Sequence, residues 1–167
     1  MTMLVLAEAP QLLIALEQSM LGVAIRQSVW AYPAANVGHI LALTLLAAAG
    51  AVMDLRLLGA FPATPPMAVV RPARIVAVLG LLLMALTGFV LFAAEASHVA
   101  MNSVFQIKAG LIALGLLNAV LLAGPALVKM NGAGAHAAIP ARARWAAVLS
   151  LTIWLAVAAC GRLIAYF

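Results

Sequence analysis

His39, His98, Lys108 and Arg162 are the side chains of this 167-residue sequence best suited to hold a cofactor, and all four fall near one level of its apolar segments. An imidazole set among apolar residues is a ligand for haem iron or a hydrogen-bonding partner for a quinone carbonyl. A cation beside it holds an anionic group such as a haem propionate or a lipid phosphate. His39 lies about six residues, or roughly 9 Å, inside its segment. Lys108 is one turn into another, and Arg162 stands near the end of a third. Asn36 shares the helical face of His39. His98 or Met101 would supply a second axial ligand, unless the iron is five-coordinate. Ionisable groups inside a membrane segment are costly and mark function by default.

Each of these residues also has a plainer role open to it. His39 could be a core histidine bonded to a neighbouring backbone or to Asn118. Lys108 and Arg162 could reach for head groups or pair with Glu95. Asp54 is expected to pair with Arg56 or another loop arginine. His98 could be an interfacial loop residue, and His136 is expected to be solvated.

The elements that must position these groups follow from composition. The chain is 68% hydrophobic and 8% charged. A soluble domain of this size could not hide so much apolar surface, so lipid must be part of its solvent. Four segments, at about 34–57, 75–94, 105–128 and 145–165, reach the length a hydrocarbon core requires. Helix is the state that satisfies a backbone in lipid, and the alternation of a barrel is absent. The fold class is therefore all-α, an integral membrane four-helix bundle forming one domain. Residues 10–32 read as an amphipathic helix lying on the membrane or against the bundle, with a fifth span as the alternative. Trp30, Tyr32 and Pro33 close it. The stretches 59–72 and 131–140, rich in Pro or in Gly and Ala, read as loops.

The net charge of +5 does not indicate nucleic acid, because only nine Lys and Arg exist and they are scattered between apolar runs. Six of them, Arg56, Arg71, Arg74, Lys129, Arg142 and Arg144, lie in or beside the two loops on one side, against Arg26, Lys108 and Arg162 on the other. That bias places the basic loops in the cytoplasm and both termini outside, as for a multi-pass protein of a bacterial inner membrane. Cys160 is the one cysteine, so no intrachain disulfide forms. The N-terminus carries Glu8 and no basic region, unlike a cleaved signal peptide.

No phosphate loop, His-Glu-x-x-His, cysteine pair or nucleophile elbow is present, which points away from an enzyme acting alone. The expected function is a membrane subunit of a redox or respiratory-type assembly that holds haem b or a quinone around His39. A non-catalytic structural or assembly subunit is the alternative, with other membrane subunits or further copies of the chain as partners. A small transporter ranks third.

Several pieces together resemble a family of small bacterial inner-membrane proteins of unknown function. They are Ser28-Val-Trp-Ala-Tyr-Pro33, His39-Ile40, Asp54-Leu-Arg-Leu-Leu-Gly59 and Leu86-Thr-Gly-Phe-Val-Leu-Phe92, then Asn102 and Phe105 before Lys108, Asn118-Ala119, and Gly161-Arg-Leu-Ile-Ala-Tyr166. Their order covers nearly the whole chain, and the Asp54 to Gly59 run is the most specific. The resemblance implies a four-helix membrane bundle with an amphipathic lead-in. The family pattern has a tyrosine near position 98, so a ligand role for His98 would be peculiar to this chain.

Overall fold

The computed structural model describes residues 10–132, 134, 137–164 and 166. His136 and Glu8 lie outside the described residues. Among the described residues the secondary structure is helical, and four helical stretches are long and apolar enough to cross a membrane.

The lead-in is two short helices, α1 (Gln11–Glu17) and α2 (Met20–Gln27), where one continuous amphipathic helix was expected. Ser19 makes the break. Its hydroxyl donates to the Leu16 carbonyl at 2.6 Å and accepts from the Gly22 amide at 3.2 Å, ending one helix and capping the next. Neither piece has the length of a span. Both dock on the bundle, with Ile25 packed among Ala93 and Ala94.

The first span, α3 (Ala31–Leu58), carries Pro33 in its first turn, where a missing N–H has no intrahelical partner to lose. Gly59, at φ +115°, reverses the chain, and the Ala60 amide returns to the Leu55 carbonyl. The second span, α4 (Pro66–Ala94), starts well before Ile75 because Pro66 occupies the favoured first position of a helix. Pro72 therefore lies inside this helix and not in a loop. A short helix α5 (Ala96–Met101) turns the chain into α6 (Ser103–Leu117), capped by Asn102, whose side chain accepts from the Val104 and Phe105 amides.

The third span then changes pitch. A π-helical segment, Asn118–Ala123, joins α6 to α7 (Gly124–Lys129). Pro125 has no N–H to give the Leu121 carbonyl, and the Arg142 guanidinium donates to it instead. The fourth span is α8 (Ala141–Leu163).

The spans pack in the order second, first, fourth, third. α3 lies along α4 and also against α8, and α8 carries the third span on its other side. The second and third spans meet at their ends. Phe92 stacks on Phe105 with ring centres 5.5 Å apart at the lead-in end. Val70 joins Ala126, Leu127 and Met130 in a buried cluster at the arginine-rich end. Between those ends they are scarcely in contact, which leaves a lateral opening. Outward side chains such as Ile40, Leu41, Leu82, Leu86 and Ile107 are more than half exposed, as befits helices whose solvent is lipid.

Candidate functional site

Close approach of α3 and α4 sets the site. A Cβ on Gly80 would stand 2.8 Å from the Leu46 amide nitrogen, so only a glycine lets the two backbones touch there. Two turns toward the lead-in end, the His39 ring fills the space a Cβ on Gly88 would claim, 3.1 Å from Cε1.

His39 Nδ1 lies 2.9 Å from Thr87 Oγ1. The Thr87 hydroxyl is already donating to the Leu83 carbonyl at 2.7 Å, so its oxygen is the acceptor and His39 carries the proton on Nδ1. The Met84 backbone carbonyl also faces the ring, and a carbonyl only accepts. The tautomer is thereby set, with Nε2 left as an unprotonated base. Metal-ligating and general-base histidines are oriented in the same way by their second nitrogen. Thr87→Val removes the acceptor. It should raise the share of His39 protonated at Nε2, readable in the imidazole ¹⁵N shifts, while a spectrum unchanged from the parent protein would show that Thr87 does not choose the tautomer.

Lys108 of α6 is the cation within electrostatic reach of this imidazole. It is half-buried, and Gly161 of α8 makes room for it, since a Cβ there would stand 3.4 Å from Nζ. His39, Thr87, Lys108 and Gly161 thus bring all four spans to one level. Arg162, expected at that level, turns away. It is exposed, donates to the Tyr166 hydroxyl at 2.9 Å and lies over that ring at 5.2 Å. Asn36 and His98 are exposed and are not drawn into the cluster. His39 is bonded to Thr87 and not to Asn118, whose amide serves α8. Among the described residues, no group of three or more His, Cys, Asp and Glu is placed to hold a metal ion.

Toward the arginine-rich end from this level lies a cavity of about 300 Å³ between the four spans. Leu43, one turn from His39, and Ala158, one turn from Gly161, line its near end, and Asp54, Arg74, Asn118 and Ser150 its far end. Asp54 and Arg56 do not pair. They are two apart on a helix and so point to opposite sides. Asp54 faces Ser150 of α8, and Arg56 donates to the Thr64 carbonyl at 2.6 Å. The roles of Ser150 and Arg74 had escaped the sequence. The signal for Ser150 was its place in an apolar span, one helical turn beyond Ala146.

Two contacts hold the lead-in over the opposite end of the bundle, beyond the level of His39. The Arg26 guanidinium donates to the Ala94 carbonyl at 2.7 Å, at the C-terminus of α4. The Glu17 carboxylate accepts from the Ser97 amide at 2.9 Å and from its hydroxyl, at the N-terminus of α5. A cation on helix-end carbonyls and an anion on helix-start amides each complement the helix dipole.

Helix content, four apolar spans and an internal cavity define a polytopic membrane bundle. Within that class the chain belongs to a family of unknown function (DUF6644), whose model matches residues 15–167. No curated protein and no solved structure matches the chain.

Proposed function

We propose that this chain is a membrane subunit of a redox-type assembly that holds a quinone or quinol head group at the level of His39 and Lys108. The observation that carries it is the 2.9 Å contact of His39 Nδ1 with Thr87, which leaves Nε2 for a ligand, beside a cavity that begins one turn away at Leu43. With the proton on Nδ1, Nε2 accepts from a quinol hydroxyl, and the Lys108 ammonium is the donor to a quinone carbonyl. The sequence alone had assigned that donor role to His39. A lipid-soluble ligand has its route between the second and third spans, and the apolar cavity walls accommodate its tail.

The same geometry favours a single ring over haem b. The His39 ring is pressed against Gly88, which closes the seam between α3 and α4 to a macrocycle. His98 and Met101 are both exposed on α5 and offer no second axial ligand to the imidazole. A cavity of about 300 Å³ is at the small end of ligand sites. The bias of basic residues supports a cytoplasmic arginine-rich end and a site in the outer leaflet, as in a bacterial inner membrane.

The test is purification in mild detergent, extraction of bound quinone and a visible spectrum before and after dithionite. The parent protein should bind added quinol saturably and show no Soret band. His39→Ala and Lys108→Met should each weaken binding by about tenfold or more, the size of one lost hydrogen bond to a charged or basic group. A Soret band that His39→Ala abolishes would replace quinone with haem b. A colourless, quinone-free protein that copurifies with stoichiometric partners would favour a purely structural subunit.

A further inference from the structure

The far end of the cavity is built for a different head group. Asn118 begins the π-helical segment and is 5% exposed. Its Nδ2 donates to the Ala146 carbonyl at 2.9 Å, which fixes the amide's orientation, because the reverse would set two oxygens together. Its Oδ1 is then buried with no partner among the described residues. A buried acceptor left unmade is costly, and a ligand or water that reaches it recovers that cost. Ser150 stands one turn beyond Ala146 on the same face of α8, and Asp54 faces Ser150. Asn118, Ser150 and Asp54, an amide, a hydroxyl and a carboxyl, all line this end of the cavity.

The rest of the lining is mainly aliphatic, with Leu46, Leu81, Leu151 and Leu155 among it, and gives a bare metal ion no further ligands. Arg74 also lines a groove of about 510 Å³ between α4 and the end of the third span, together with Arg71. We infer that this end of the cavity binds a primary ammonium amphiphile, its NH₃⁺ donating to Asn118 Oδ1, Asp54 and Ser150 and its chain lying on the aliphatic wall. A phosphate carried by the same molecule meets Arg74. This chemistry is shared by an aminophospholipid and by a single-chain amine. The head-group residues of the amine site, Asn118, Asp54 and Ser150, are distinct from His39 and Lys108 of the quinone site, so head-group variants test each separately although both ligands lay their chains on the same cavity wall.

Trp154 lines the cavity and reports on it once the exposed Trp30 and Trp145 are replaced by Phe. That variant, in phosphatidylcholine nanodiscs, is titrated with phosphatidylethanolamine or phosphatidylcholine bearing brominated chains, which quench tryptophan. Dodecylamine and dodecyltrimethylammonium serve as competitors. Phosphatidylethanolamine should quench at a concentration about tenfold lower than phosphatidylcholine, whose quaternary nitrogen has no N–H to donate. Dodecylamine should reverse the quenching and its trimethyl analogue should not. If only dodecylamine shows saturable, quaternary-sensitive binding, the ligand is a single-chain amine and the site stands. Asn118→Leu and Asp54→Asn should each erase the preference, with Ser150→Ala as the third variant if Asn118→Leu does not fold. Equal quenching by both lipids with no effect of dodecylamine, or a preference untouched by these variants, would overturn the inference.

Discussion

Gly80→Leu should be the most damaging single substitution in the bundle. Its Cβ would meet backbone atoms, the Leu46 nitrogen at 2.8 Å and the Ala42 oxygen at 3.2 Å, and backbone cannot rotate aside as a side chain would. α3 and α4 must then separate along the most extensive helix contact in the molecule. Overpacking of this kind costs about 1–3 kcal/mol, and the upper end applies where the neighbour is rigid. For a chain of this size that lowers the thermal midpoint by roughly 6–12 °C. Gly110→Leu is the matched control, since nothing lies within 4 Å of a Cβ there. Thermal unfolding followed by circular dichroism in one detergent reads both. Equal midpoints for the two variants would mean that the seam at Gly80 yields freely. The His39 site should suffer with it, because Gly88 and Thr87 reach His39 only while the seam is closed.

Glu17→Ala should release the lead-in while leaving the bundle folded. Ser97 is 2% exposed, and its amide and hydroxyl both donate to the Glu17 carboxylate. Removing that acceptor strands two buried donors, at about 1.5–3 kcal/mol for hydrogen bonds to a charged group. α1 and α2 are short, and few other contacts hold them, so the loss falls on local opening and not on global unfolding. Amide exchange across residues 11–27 should quicken by about tenfold to a hundredfold on that scale. Protection of the four spans should remain. Arg26→Ala, which frees the Ala94 carbonyl at the other side of the same break, should act in the same direction. Glu17→Gln keeps an acceptor without the charge and should fall between. Unchanged exchange in Glu17→Ala would show that apolar packing of Ile25 against Ala93 and Ala94 suffices to dock these helices.

The sequence by itself determined the class and the number of spans. Length and apolarity are local properties, and a backbone in lipid has one way to satisfy itself, so four apolar stretches became four helices. It also marked His39 and Lys108 as groups too polar for their surroundings. Where proline chemistry overrode composition it was less informative. Pro66 starts a helix nine residues ahead of the apolar run beginning at Ile75, and Ser19 splits a segment of continuous amphipathic character.

Tertiary structure alone decided which of these groups meet. Helices that are apolar nearly all round leave no face marked for a neighbour, so the order second, first, fourth, third was invisible in the chain. Lys108 and Arg162 stand at one level by sequence. Packing draws Lys108 inward over Gly161, while Arg162 finds Tyr166 one turn along its own helix. The tautomer of His39 depends on a hydroxyl 48 residues away, and the unmet oxygen of Asn118 on a carbonyl 28 residues away. Hydrogen bonds between helices are settled by the distance and direction of atoms on separate backbones, and no periodicity within either helix encodes them.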